Sequence, residues 1–268
     1  MSKTIAFVSG KSSVGKTTSV ANIAARMVQE GRRVCVVDLD PQCTLSKWFG
    51  ILEPAISLHD LISAYIENEA DETVRELVCR SIHTTAGIDV IPTVLKMGSL
   101  ENRIPMATCR EHIVESILSH IREDYDFILI DCLAMLGNLV INAMTAADSV
   151  MIPVEPDMTS FDGLNNVKVY MDMVKRRSNP HLHIEGIIIT RYRQQPTYNR
   201  NMLSEILSYF VDEQVYPDYI NFSVRVAECY AEGKSIFEHA PSSPAAAAYA
   251  NIAKVVMDHA KDQYQQCG

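Results

Sequence analysis

Five continuous apolar runs punctuate the chain: TIAFVS (4–9), RVCVVD (33–38), FILID (127–131), SVMIPV (149–154) and EGIIIT (185–190). None alternates polar with apolar positions. Each therefore reads as a strand covered on both faces, the pattern of a parallel sheet packed between helices. In TTSVANIAARMVQEG, Val20, Ile23, Ala24, Met27 and Val28 fall on one helical face, and Gly31 supplies a C-terminal stop. Helices are likewise predicted over 110–122 and 160–177, giving β-α-β units with right-handed crossovers. Residues 52–105 are less regular, with two short amphipathic helices in SLHDLISAYI and DETVRELVCRSI and one more strand in IDVIP (88–92). The alanine-rich SPAAAAYANIAKVVMDHAKD predicts a closing helix. No linker, internal repeat or low-complexity run divides the chain. The expectation is one α/β domain spanning 1–268, with a mostly parallel twisted sheet covered by helices on both faces.

The first strand, a glycine-rich turn and the first helix make a chemical unit. Gly10 through Thr17 reads G-K-S-S-V-G-K-T, which fits the phosphate-loop pattern of Gly, four residues, Gly-Lys-Ser/Thr. Successive backbone N–H groups and the helix N-terminus wrap a polyphosphate, and Lys16 reaches its terminal phosphates. The Thr17 hydroxyl suits Mg²⁺. This makes the fold a single P-loop NTPase domain and the ligand a nucleoside triphosphate with Mg²⁺. A second lysine, Lys11, stands five positions before Lys16 and is not required by that pattern.

Acids follow two of the predicted strands, at the carboxyl ends where a parallel sheet presents functional groups. Asp131 ends FILID. Alone it would read as a turn cap, but beside a phosphate loop it suits a direct or water-mediated hold on Mg²⁺. VVDLDPQ adds Asp38, expected in the outer shell of the metal, and Asp40, one step further into the loop and placed to polarise the attacking water. Solvated turn acids are the plainer alternative for this pair.

Composition adds little until charge is resolved by position. Hydrophobic content of 47% with 21% charged residues is ordinary for a globular protein. No charged-then-apolar leader opens the sequence, and no apolar run approaches the ~18 residues of a membrane span. The seven cysteines (35, 43, 79, 109, 132, 229, 267) are odd in number and never in C-x-x-C spacing. Reduced thiols in a cytoplasm are expected, not a disulfide framework or a zinc site. Net charge is −9, yet between Asn165 and Arg200 seven Lys/Arg face only Asp172 and Glu185. Such a stretch is either a solvated helix end and loop or a nucleic-acid surface inside an acidic protein.

The early lysine, VVDLDPQ after the second strand, and YDFILIDC…LG…INAMTAADSVMIPVEP together resemble the deviant-Walker ATPases of the ParA/MinD group, the small ParA-type partition ATPases most closely. The resemblance runs on through EGIIITRY and VRVAECYAEGKSIFEHAPSSPAAAAYANIAK, so it covers essentially the whole chain. It implies an ATPase with ATP and Mg²⁺ as cofactors and a homodimer in the ATP state, in which Lys11 crosses to the phosphates bound by the other subunit. The nucleotide-binding positions it implies are Gly10, Lys11, Ser12, Ser13, Val14, Gly15, Lys16, Thr17, Thr18, Thr190 and Arg191. It also implies non-specific duplex DNA binding, nucleoid association, and a ParB-like centromere-binding partner that stimulates hydrolysis. Arg225 falls where partition ATPases contact DNA, and joins Lys175, Arg176, Arg177, Arg193 and Arg200 as the expected DNA surface. With the first strand opening at residue 4, no helix-turn-helix extension is expected ahead of it.

Two departures stand out. Relatives read K-G-G-V-G-K-T where this chain has Ser12 and Ser13, so a left-handed conformation at either position would be strained. Relatives also read D-C-P-P-S-L-G where this chain has D-C-L-A-M-L-G (131–137), and the loss of two prolines should loosen that loop. A weak ATPase, a hydrolysis-impaired DNA-binding switch and a positioning ATPase for a protein cargo are the readings left open. DQYQQCG is not the basic amphipathic helix a membrane-cycling MinD-like protein needs, so no membrane partner is expected.

Overall fold

The computed structural model describes residues 2–67, 70–193, 197–211 and 213–266, with side chains through residue 261. Among the described residues seven strands form one sheet: β1 Lys3–Phe7, β2 Val34–Asp38, β3 His83–Thr85, β4 Ile88–Ile91, β5 Phe127–Asp131, β6 Ser149–Val154 and β7 His183–Ile189. Their order is β3-β4-β2-β5-β1-β6-β7, and only the short β3 runs antiparallel to its neighbour. Each of the six predicted runs is a strand here. The sequence reading missed β3, whose residues His83, Thr84 and Thr85 sit at the sheet edge and carry no apolar signature.

The helices are α1 Lys16–Gln29, α2 Thr44–Trp48, α3 Leu58–Ile66, α4 Asp71–Ser81, α5 Leu100–Arg103, α6 Ile113–Ser119, α7 Asn138–Ala146, α8 Met158–Arg177, α9 Thr197–Tyr209, α10 Val224–Glu232, α11 Ile236–His239 and α12 Pro244–Gln266. They divide into two layers. One core unites Val20, Ile23, Trp48, Ile236, Tyr249 and Ile252 from α1, α2, α11 and α12. The other unites Leu61, Val78, Ile117, Leu139, Val167 and Ile206 from α3, α4, α6, α7, α8 and α9. Successive strand residues serve opposite layers: in β5, Phe127 and Leu129 face the α1 side while Ile128 and Ile130 face the other. That alternation decides where the acids point. Asp131 shares the parity of Leu129, and Asp38, its register partner on β2, shares that of Val36, so both carboxylates emerge on the α1 side.

Candidate nucleotide site

The phosphate loop links β1 to α1, and its shape rests on a few backbone requirements. Gly15 precedes α1 at φ 83°, in the left-handed region that glycine enters freely. Gly10 lies against Gly163 of α8, where a Cβ would come within 2.4 Å of the Gly163 carbonyl oxygen; the loop enters by direct backbone contact with that helix. Of the loop serines Ser12 and Ser13, only Ser13 adopts a left-handed conformation, at φ 61°. The strain expected from the sequence is therefore confined to one position and costs about 1 kcal/mol.

Lys16 is buried, its Nζ donating to Ser9 Oγ at 2.9 Å. Burial lowers its pKa, with Asp131, Cys132 and Asp40 pulling the other way. A phosphate anion in the loop would restore what burial removes. Across from it, Thr17 donates its hydroxyl to Asp131 Oδ2 at 2.6 Å, while Asp131 Oδ1 is buried with no hydrogen-bond partner. Burial, and then the neighbouring Asp38, push Asp131 up to about 8. An orphaned carboxylate oxygen beside a threonine hydroxyl is the donor set a Mg²⁺ fits, so Thr17 and Asp131 are the residues that would hold the ion.

Asp38, expected in the outer shell of the metal, is already gripped by the protein. Its Oδ2 accepts from the Ser46 amide (2.8 Å) and hydroxyl (2.6 Å), and its Oδ1 from the Asp40 amide (3.1 Å). Both oxygens are engaged in fixing α2 and the turn that carries Asp40, even though burial still raises it to about 6. Asp40 itself lines the cavity, and its Oδ1 accepts the Gln42 amide at 2.9 Å, leaving Oδ2 for a water.

Lys11 forms an ion pair with Asp157, which also caps α8 by accepting the Ser160 amide at 2.8 Å. Both side chains are about one-quarter exposed, so the pair sits at the rim and not in the core. Within one subunit, then, the second lysine is held by its own chain. Asp157 escaped the sequence reading, although D-x-x-S ahead of a helix is a legible cap signal.

The cavity above the loop measures about 540 Å³, in the range of a small-ligand site. Ser12, Ser13, Lys16, Thr17, Thr18 and Asp40 line it together with Ile220, Asn221, Phe222, Val224 and Val226, whose largely apolar wall would suit the face of a nucleotide base. Val14 is buried beneath the loop. The sequence marked 224–227 only through the family resemblance and Arg225, and gave no sign of a nucleotide wall at 220–227, because flat apolar contact with a base needs no fixed motif. Thr190 and Arg191 also border the cavity, but their hydrogen bonds go to the loop carbonyls of Val14 and Ser13. The D-C-L-A-M-L-G segment is pinned at both ends despite lacking prolines. Leu133 is buried, the Leu136 carbonyl accepts from Tyr170, and Glu101 caps α7 through the Asn138 and Leu139 amides. Only Met135 between them stands well exposed.

The expected basic surface resolves into two groups. Lys175, Arg176 and Arg177 end α8, about 20 Å along the helix from Gly163, where the phosphate loop touches it, and toward the end of the sheet where the strands begin. Arg193, Arg200 and Arg225 follow β7 or open α9 and α10, at the nucleotide end, and all are exposed. Arg193 stacks 4.1 Å from the Phe222 ring centroid, tying this group to the base-side wall. Among the described residues every cysteine is a free thiol; Cys267 lies outside them. No helix among the described residues is long and apolar enough to cross a membrane.

Comparison with known proteins agrees with this geometry. An AAA domain family matches residues 2–184. The sporulation initiation inhibitor protein Soj of Bacillus subtilis is 32% identical over 96% of this chain and 98% of its own. The chromosome partitioning protein ParA of Myxococcus xanthus is 30% identical over 92% of this chain and 85% of its own. Among solved structures, a Mycobacterium smegmatis cobyrinic acid a,c-diamide synthase with bound ADP and magnesium superposes with a TM-score of 0.81 at 25% identity, covering 97% of this chain and 96% of that one. A phosphate loop with a second lysine, a Thr17 hydroxyl bonded to the buried Asp131, and whole-length kinship to Soj and ParA converge on one assignment: the chain belongs to the ParA-type partition ATPases of the ParA/MinD family.

Proposed function

We propose that this protein is an ATP-gated dimer that binds duplex DNA without sequence preference and positions a DNA cargo with a ParB-like adaptor. The observation that carries the reading is the division of labour between two lysines in one loop. Lys16 points inward to Ser9 and the phosphate position, while Lys11 sits at the rim on Asp157. A rim lysine held by a capping carboxylate is available to a second subunit's phosphates once that pairing is exchanged. ATP then joins two subunits, because each nucleotide is contacted from both.

Thr17 and Asp131 would hold a Mg²⁺, which when bound would offset the negative charge of the phosphate oxygens. Lys16 neutralises the same oxygens from the buried side, and Asp40 orients the water for in-line attack. The base-side wall and the loop hold the nucleotide still while this happens. Arg193, Arg200 and Arg225 belong to the nucleotide end, so a dimer built there would present two copies of the group and gain DNA affinity by avidity.

The test is a salt titration of duplex DNA binding with ATP·Mg²⁺ and with ADP·Mg²⁺. Binding that requires ATP and weakens steeply with salt supports the reading. Equal binding with either nucleotide, or none at low salt, would overturn the DNA role and favour a protein cargo. ATP-dependent DNA binding without measurable turnover would instead identify a hydrolysis-impaired switch.

A further inference from the structure

Two residues outside the phosphate loop reach back into it. Thr190, at the end of β7, places its hydroxyl 2.7 Å from the Val14 carbonyl oxygen and 3.2 Å from that of Val154. Its neighbour Arg191 donates one guanidinium N–H to the Ser13 carbonyl at 2.9 Å. The other side of that guanidinium faces Glu155, with Nε 3.7 Å from a carboxylate oxygen, and Phe222, 5.8 Å from the ring centroid. The Thr190 methyl also packs 3.7 Å from where a Cβ on Gly15 would lie. Successive carbonyls of the loop are therefore both turned toward β7.

A peptide unit is planar and trans, so fixing the direction of its carbonyl fixes its N–H in the opposite sense. Holding the Ser13 carbonyl aims the Val14 N–H away from β7, and holding the Val14 carbonyl does the same for Gly15. Those are amides of the anion-binding loop. The Ser13 carbonyl is the one in need of a hold, because Ser13 is left-handed at φ 61° without being glycine. Arg191 is itself left-handed, at φ 50°, so strain at one residue is matched by strain at the residue that clamps it.

We infer that Thr190 and Arg191 are positioning residues that aim the phosphate-loop amides before nucleotide arrives, and that Arg191 does so by keeping Ser13 in its left-handed conformation. Arg191 thus holds a non-glycine residue in a conformation that glycine adopts freely. The inference rests on the nucleotide site described above. It assigns Arg191 to the loop backbone and not to the phosphates. A serine released from the clamp relaxes to a right-handed conformation, and the Val14 amide turns out of the cradle. A glycine released in the same way keeps the left-handed conformation at little cost.

The experiment is a double-mutant cycle read by equilibrium titration with ADP·Mg²⁺ and with a non-hydrolysable ATP analogue. Arg191→Met keeps the aliphatic stem and removes the donor; Arg191→Lys restores one donor and the charge. In the wild-type loop, Arg191→Met should weaken both ligands alike by about tenfold, with Arg191→Lys between the two. In a Ser13→Gly background the same change should cost about threefold or less, because the conformation no longer needs holding. Equal losses in both backgrounds, no loss in either, or a loss confined to the ATP analogue would each overturn the inference; the last would place Arg191 on the γ-phosphate. Failure of the wild-type chain to bind ADP or the analogue would remove the nucleotide site itself, a result distinct from any of these.

Discussion

The two ends of the sheet treat buried carboxylates in opposite ways. Where the strands begin, Glu185 receives the Lys3 ammonium at 2.7 Å, the Ser149 hydroxyl at 2.7 Å and His259 Nδ1 at 3.2 Å. Burial alone would raise its pKa, but Lys3, Ser149 and His259 together hold it below its ordinary value. Where the strands end, Asp131 has one donor, Thr17, one unpartnered oxygen and a second acid alongside, and it is pushed up to about 8. The first end is internally neutralised and contributes to holding β1, β6, β7 and α12 together. The second is left short of positive charge by the protein itself. A site that must gain a cation and a nucleotide cannot be satisfied in advance, so under-neutralised acids mark the functional end more clearly than acidity does.

The strongest way to break this comparison is to remove each carboxylate. Asp131→Asn should lower Mg²⁺-dependent hydrolysis by at least about a hundredfold, since the metal loses its protein carboxylate. The same change should stabilise the ligand-free protein. A carboxyl whose folded pKa lies above its ordinary 3.8 costs stability once pH exceeds that value, and the cost grows until about pH 8. The gain in Tm should therefore be small at pH 4 and reach several degrees at pH 8. An Asp131→Asn protein less stable than wild type at pH 8 would contradict the account.

Glu185→Gln should do the reverse. It leaves the Lys3 ammonium buried without its partner, at a cost of about 3 kcal/mol in unfolding free energy, while nucleotide affinity stays unchanged. Because Glu185 is held below its ordinary 4.5, its contribution is complete above that pH and is lost as pH falls below it. Wild type and variant should thus converge in stability in acid. The pair replacement Lys3→Met/Glu185→Leu should recover most of the loss, and denaturant titration across pH checks all three statements. A drop in nucleotide affinity with Glu185→Gln would show that the two ends are coupled.

Smaller effects sharpen the picture at the rim. Asp157→Asn keeps the α8 cap but frees Lys11, and should tighten the dimer formed with a non-hydrolysable ATP analogue by about threefold. Weaker dimerisation would mean that Asp157 serves the interface directly. Least in magnitude, Arg225→Ala should reduce the slope of log DNA affinity against log salt by about 0.9. Lys175→Ala/Arg176→Ala, at the other end of the sheet, should leave that slope nearly intact if the DNA surface is confined to the nucleotide end. A matching reduction would extend the surface along α8.

How far the sequence carried the account follows the same division. Strands β1, β2, β5, β6 and β7 were legible because burial on both faces leaves a continuous apolar run, and β4 as a short apolar segment broken only by Asp89. The phosphate loop was legible because phosphate binding demands glycine, lysine and threonine at fixed spacing. What stayed hidden depends on contacts between distant segments. Asp157 meets Lys11 across 146 positions, Arg191 meets Ser13 across 178, and the engagement of Asp38 with Ser46 shows only once α2 has folded back. The basic run from 165 to 200 is not one surface, because β7 carries the chain back across the sheet between Lys175–Arg177 and Arg191, Arg193 and Arg200.

The proposed dimer needs one lysine of the loop for its own nucleotide and the other for its partner's. Sedimentation equilibrium of wild type, Lys11→Ala and Lys16→Ala, each with a non-hydrolysable ATP analogue and with ADP, tests it directly alongside nucleotide affinity. The account predicts a wild-type dimer only with the ATP analogue. It predicts a Lys11→Ala monomer that still binds nucleotide nearly as tightly as wild type, and a Lys16→Ala protein that has lost nucleotide affinity itself. Equal loss of affinity in the two variants, or a Lys11→Ala protein that dimerises like wild type, would contradict it.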